Sequence, residues 1–199
     1  DFAVKDAVKA VSRTEACVCP AEGETKYHVA MLDFGTTYGM EQALQARGCE
    51  VTLLPAHTGA QEILSGGFDG VMLSGGPGDP AENTEIIAAV GELAESGMPM
   101  FGMCLGHQLV ALALGDRTYI TSQDHGYEVV RDSIDASAAH VRYANLNDGS
   151  VEGIDYIGRP IFTTQFHPEL CSGPQDTSFL FDRFVRNIDS AKGGAQVCL

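Results

Sequence analysis

Three absences narrow the possibilities before any motif is considered. No apolar run approaches the ~18 residues of a membrane span, and the first residues, Asp1-Phe2-Ala3-Val4-Lys5-Asp6, have neither a secretory signal pattern nor an initiator Met. The expectation is a cytoplasmic chain that is processed or is a piece of something longer. No Cys-x-x-Cys pair occurs among Cys17, Cys19, Cys49, Cys104, Cys171 and Cys198, so the cysteines are expected to be reduced thiols, with no metal ligation. With 199 residues, 44% of them hydrophobic, a chain of this size buries roughly 70% of its unfolded surface without disulfide help. Cations are the third scarcity. Twelve Lys and Arg against 27 Asp and Glu leave a formal net charge of −15. Such a polyanion repels phosphate backbones and anionic membrane surfaces, which argues against nucleic-acid and membrane partners. It suits solubility, a basic protein partner or a salt-rich cytosol. There is no internal repeat and no low-complexity block.

The chain divides by pattern. Residues 1–26 read as a lead-in, with a short helix between Val4 and Val11 and a loop at Cys17–Gly23. From Tyr27 to about Gly115 short apolar strands alternate with helices. Strands are expected at Tyr27–Leu32, Val51–Leu54, Gly70–Leu73 and Pro99–Met103. Helices are expected at Gly39–Arg47, Ala60–Ser65, from a cap at Asn83 to about Ser96, and at Leu105–Leu114. That alternation predicts an α/β fold: a mostly parallel central sheet with helices on both faces. Beyond Gly115, short strands at Thr118–Ser122, Tyr127–Val130, His140–Tyr143, Val151–Tyr156 and Ile161–Gln165 predict a smaller antiparallel layer or a mixed edge. A helix at Ser178–Ile188 closes a domain spanning 27–190, and 191–199 read as a tail.

The sharpest chemical signal is Gly102-Met103-Cys104-Leu105-Gly106, between a buried strand and a helix. Glycines on both sides of a central nucleophile allow the strained turn that lifts it above the strand ends, with Cys here in place of Ser. The helix N-terminus favours the thiolate. The competing reading is a buried Cys in a glycine turn. A Cys nucleophile needs a base. Of six histidines, His107 lies one helical turn from Cys104 and reads as structural. His167, in Gln165-Phe166-His167-Pro168-Glu169 at a strand end, is the better base, with Glu169 close enough to orient its ring. Oxyanion donors are expected from the Leu105 N–H and from the loop Gly76-Pro77-Gly78. That loop lacks the Gly-Lys-Ser/Thr of a phosphate cradle and has Asp79 instead, so no nucleotide site is expected on this chain.

Ser74-Gly75-Gly76-Pro77-Gly78-Asp79-Pro80, Gly102-Met103-Cys104-Leu105-Gly106-His107-Gln108 and Gln165-Phe166-His167-Pro168-Glu169 together resemble the three blocks of the class I, triad-type glutamine amidotransferases. Within that family, Thr121–Tyr127, Ser172–Thr177 and Phe179–Phe184 are similar to the carbamoyl-phosphate synthetase small-chain branch. The resemblance covers about residues 27–190. It implies a glutaminase component of carbamoyl-phosphate synthase: glutamine is hydrolysed to glutamate and ammonia, and a large subunit uses the ammonia with ATP and bicarbonate. It implies Cys104 as nucleophile, His167 as base and Glu169 as its orienter. Gly76 and Leu105 would donate to the oxyanion, and Gly78, Gln108, Asp124, Gly126 and Tyr127 would line the glutamine pocket. No cofactor is implied on this chain; ATP and magnesium belong to the large subunit. The carbamoyl phosphate would serve arginine or pyrimidine synthesis.

Four departures accompany the resemblance. The family's own N-terminal domain is missing apart from the lead-in. Gly115-Asp116-Arg117 runs directly into Thr118-Tyr119-Ile120 where the family has a further stretch of chain: either a real deletion or, as the matching flanks favour, a segment left out. Position 124 is Asp where Asn is usual, which removes a donor. Thr36-Thr37-Tyr38 stands where a Lys usually follows the Phe-Gly pair. These departures keep a second reading open, a catalytically impaired interaction subunit of the same complex. A third, a stand-alone Cys hydrolase, is disfavoured by Thr121–Tyr127.

Overall fold

In the computed structural model, residues 5–35, 38–116, 118–120, 127–169 and 177–193 are described. Strand β2 (Tyr27–Asp33) explains the architecture. Val29 to Asp33 are all buried, as in a strand covered on both faces. Its side chains separate with period 2: Val29 and Met31 join one core cluster, Ala30 and Leu32 the other. Around it lie, in chain order, α1 (Ala7–Val11) and β1 (Cys17–Cys19) before it, then α2 (Tyr38–Gln45), β3 (Cys49–Pro55), α3 (Ala60–Ser65), β4 (Gly70–Leu73), α4 (Thr84–Glu95), β5 (Met100–Met103) and α5 (Leu105–Ala113). The second half carries β6 (Thr118–Ile120), β7 (Tyr127–Val129), β8 (Ala139–Ala144), β9 (Val151–Tyr156), β10 (Ile161–Thr164) and α6 (Phe179–Gly193).

The main sheet has eight strands in the order β1-β3-β2-β4-β5-β10-β9-β8. Strands β3, β2, β4, β5 and β10 are parallel to one another; β1 at one edge and β9 and β8 at the other are antiparallel. The antiparallel strands expected after Gly115 therefore divide. Three join the main sheet, β10 parallel beside β5 and then β9 and β8 as an antiparallel mixed edge, and among the described residues β6 pairs with β7 in a separate ribbon. On one face, α4 buries Ile86, Val90, Leu93 and Ala94, the stripe of a core-facing helix. On the other, α6 buries Leu180, Phe181, Phe184 and Ile188 around the stacked rings of Phe101 and Phe162, whose centroids are 4.4 Å apart.

Two local expectations are corrected. Cys17–Cys19 is not loop: it pairs with Val51–Leu53 as the sheet's edge strand, because β3 otherwise presents an unpaired row of backbone groups there. Asn83 stands at the α4 cap position but does not cap it. Its side chain turns back and donates to Asp79 O at 2.9 Å. No described helix is long and apolar enough to cross a membrane.

Asp116 closes the turn after α5, its N–H donating to Ala111 O at 2.9 Å. Its carboxylate is buried, and among the described residues Oδ2 has no hydrogen-bond partner. Burial, reinforced by the Asp135 charge, pushes its pKa up to about 6. A carboxyl whose folded pKa is raised contributes stability that is full below the unfolded value and is lost as pH rises through the folded one. Asp116→Asn is therefore expected to stabilise the fold above pH 7 by about 1–3 kcal/mol, roughly 2–4 °C in Tm for each kcal/mol, with no gain near pH 4. Thermal melts of both proteins across that range check it. An equal shift at both ends would mean that ionisation of Asp116 is not the cause.

Candidate active site

The site forms beyond the carboxyl ends of the parallel strands, where ligands sit in open α/β sheets. Parallel pairing of β10 with β5 sets Thr164 opposite Met103. The next residue, Cys104, donates its N–H to Thr164 O at 2.9 Å. Cys104 has φ 50° and ψ −110°, left-handed backbone that a side chain adopts only when its surroundings hold it there. Two close approaches hold it. Gly106 N donates to Ser74 O at 3.1 Å, and a Cβ at Gly106 would overlap Leu73 O and lie 2.7 Å from Leu73 Cβ. Helix α5 can thus start only where residue 106 has no side chain. Leu105 is its first residue, so the Leu105 N–H has no intrahelical partner.

His167 lies three residues beyond β10. Its Nδ1 is 2.8 Å from Glu169 Oε1; the His167 side chain is 25% exposed and that of Glu169 only 1%. The interaction of the ring with Cys104, then the bond to Glu169, pushes the His167 pKa up to about 10 against the opposing effect of burial. The imidazole is therefore protonated at neutral pH, the partner a thiolate requires. Gly75 packs flat against the pair: a Cβ there would be 2.8 Å from His167 Cε1 and 3.5 Å from Cys104 Cβ. Gly39, at the start of α2, closes the other side, where a Cβ would sit 3.1 Å from Glu169 Cγ.

The remaining expected residues have distinct placements. Gly76 lies against Phe34, whose carbonyl a Cβ at 76 would overlap. Gly78 faces α1, with Ala7 Cβ 2.8 Å from where its own Cβ would be. Gln108 is buried, and Nε2 donates to Tyr127 O and to Gln165 Oε1, both at 2.9 Å. Tyr127 is partly buried, and its hydroxyl bonds Asp79. Asp124 and Gly126 lie outside the described residues. His107 is fully buried, with Nδ1 2.8 Å from Thr163 Oγ1, and ties α5 to β10. Cys17 and Cys19 are distant in the fold on the β1 edge. Among the described residues no group of His, Cys, Asp or Glu converges to hold a metal.

Two residues near the site carried no motif signal of their own. Ser74 is fully buried; its Oγ accepts from Phe34 N at 2.9 Å and donates to Gly75 O at 2.9 Å. It fixes the glycine loop to the end of β2. Gln165, 1% exposed, joins β10 to Gln108. Ser74 stands in a recognisable glycine block, but only the folded chain shows which backbone groups it serves.

Residues 30–120 and 115–187 match the sequence pattern of the family described as glutamine amidotransferase class-I. Among curated proteins, the carbamoyl phosphate synthase small chain of Neisseria meningitidis serogroup A is 42% identical over 191 residues, covering 85% of this chain and 50% of that protein. The protein of the same name from Symbiobacterium thermophilum is 38% identical over 211 residues, covering 94% of this chain and 57% of its own length. This chain thus spans about half the length of the curated relatives it matches. In three dimensions it is similar to a Thermoplasma acidophilum protein assigned to GMP synthase. The TM-score is 0.73 at 21% identity, over 84% of this chain and 96% of the other, a likeness of fold alone. With its sheet, its cysteine turn and more than two thirds of its residues matched, the chain belongs to the class-I glutamine amidotransferase family.

Proposed function

We propose that this chain is the glutamine-hydrolysing part of a carbamoyl-phosphate synthase. The observation that carries the reading is the grouping of Cys104, on a left-handed elbow, with His167 and its hydrogen-bonded partner Glu169 around Gly75. The names borne by the relatives supply the synthase context.

In the first half-reaction, Cys104 Sγ attacks the side-chain amide carbon of L-glutamine and a C–S bond forms. The carbonyl oxygen takes the negative charge and points at the N–H groups of Leu105 and the Gly76 loop. The His167 imidazolium gives its Nε2 proton to the amide nitrogen, the C–N bond breaks, and ammonia leaves. A γ-glutamyl thioester remains on Cys104. In the second half, neutral His167 takes a proton from water as the water oxygen attacks the thioester carbon. The C–S bond breaks, glutamate leaves and the thiolate–imidazolium pair is restored. Glu169 holds the ring with Nδ1 toward itself and Nε2 toward sulfur throughout. Gln108 supports the pocket by holding the Tyr127 carbonyl, and the family resemblance assigns glutamine contacts to Gly78, Asp124 and Gly126. The ammonia passes to an ATP- and magnesium-using large subunit, which makes the assembly a heterodimer at least.

Competitive alkylation tests the reading. Iodoacetamide is expected to modify Cys104 at least about tenfold faster than the exposed Cys17 at pH 7, and saturating glutamine should protect Cys104 alone. Equal rates without protection by glutamine would replace this reading with that of a non-catalytic subunit.

A further inference from the structure

Arg13 stands in the segment ahead of the residues that match the family. Its Nε is 3.0 Å from Asp33 Oδ2, and the Asp33 side chain is only 7% exposed. The other oxygen of that carboxylate, Oδ1, accepts from Gly35 N at 3.0 Å. One carboxylate therefore joins the lead-in to the turn that ends β2. The turn in turn holds the glycine loop: Phe34 N donates to Ser74 Oγ, Ser74 Oγ to Gly75 O, and Gly76 rests on the Phe34 backbone.

The lead-in around Arg13 is anchored independently. Val8 is 2% exposed within the core, Ser12 Oγ accepts from Ala56 N at 2.9 Å, and β1 is hydrogen-bonded to β3. Arg13 therefore projects from a fixed support. Glu41, in the first turn of α2, is 6% exposed; burial raises its pKa, its own backbone hydrogen bond and then Arg13 lower it, and Asp33 raises it slightly. Two residues earlier on α2, Gly39 abuts Glu169. Without the guanidinium, the buried Asp33 carboxylate would lose its charged partner, at a cost that favours protonation or displacement of the turn.

We infer that Arg13 is a positioning residue for the hydrolysis: by clamping Asp33 it holds the Phe34–Ser74–Gly76 contact that aims the oxyanion loop. The inference rests on the glutaminase reading above. It makes the segment before the family match a working part of the site.

The test uses Arg13→Gln and Arg13→Lys in the full-length protein, with glutamine kinetics normalised to alkylatable Cys104, and hydrogen exchange followed by mass spectrometry. Arg13→Gln is expected to lower kcat about 10–100-fold with KM within about threefold, as a misaimed oxyanion loop would. Arg13→Lys should restore most of the loss. Exchange should quicken at Phe34–Gly35 and Gly75–Gly78 and stay unchanged in β9 and α6. The pair Arg13→Gln with Asp33→Asn should be no worse than Arg13→Gln alone. A kcat per titrated site within twofold of the parent, or a loss matched by unfolding throughout the sheet, would overturn the inference. If the parent protein hydrolyses no glutamine, the functional reading fails by itself. Unchanged exchange at the two loops would then overturn the clamp as well, and faster exchange there would uphold it.

Discussion

Cys104→Ser is expected to reduce glutamine hydrolysis by at least about 10³-fold while leaving the fold intact. The size of the loss follows from the state of His167. Its imidazole is protonated at neutral pH, with a pKa of about 10, because it faces sulfur on one side and Glu169 on the other. Next to a thiolate, that imidazolium is the acid the leaving ammonia needs. Next to a serine hydroxyl it would have to act first as a base, because a hydroxyl does not ionise near neutrality as a thiol does. The substitution removes one polarizable atom from a partly exposed position, so the melting temperature should stay close to that of the parent. Glutamate release in a coupled assay measures the effect. Turnover within tenfold of the parent would show that Cys104 is not the nucleophile.

The second large effect concerns stability as well as activity. Gly106→Ala is expected to cost about 3 kcal/mol or more, lowering Tm by roughly 6–12 °C, with activity lost in the remaining folded protein. A methyl at 106 would overlap the Leu73 carbonyl and approach Leu73 Cβ to 2.7 Å. Neither is the movable end of a side chain, so α5 would have to back away from β4. That movement breaks the Gly106 N to Ser74 O bond and shifts the Leu105 N–H from its aim. Gly91 in α4 provides the contrast. A Cβ there meets only Ala113 O, at 3.9 Å, so Gly91→Ala should gain up to about 1 kcal/mol from the unfolded-state entropy it removes. Equal melting temperatures for the two variants would show that the close approach of α5 to β4 is not what requires a glycine at 106.

Both expectations arise from one arrangement. The elbow is strained because α5 starts close to β4, and it starts there because the glycines at 102 and 106 leave room. Asp116, Gly106 and Cys104 therefore report on three parts of one helix: its exit, its entry and the residue it presents. A large change at one with no change at the others would localise the fault.

Much of this protein could be read from residues alone. Apolar runs of strand length at 27–32, 70–73 and 99–103, each closed by glycine or proline, are local signals. Burial on both faces leaves the parallel strands almost uniformly apolar, so their existence and approximate ends were legible. The elbow was legible for the same reason: its glycines, nucleophile and flanking strand and helix all lie between Met100 and Ala113. His167 and Glu169 were legible as a short block at a strand end. What the residues could not show was pairing. Strands β8, β9 and β10 have no local mark that they join the main sheet while β6 and β7 stand apart; that choice depends on which edges remain open once the core has formed. Cys17–Cys19 became a strand only because β3 offered it partners. Ser74, Gln165 and the Arg13–Asp33 clamp depend on groups 20 to 57 residues away in sequence. Even the meeting of Cys104 with His167 depends on the register of β10 against β5. The sequence by itself determined which residues can do the chemistry, because reactivity and turn geometry are properties of a few neighbouring residues. Only the tertiary structure decided how they are aimed, because aim is set by backbone groups that folding alone brings together.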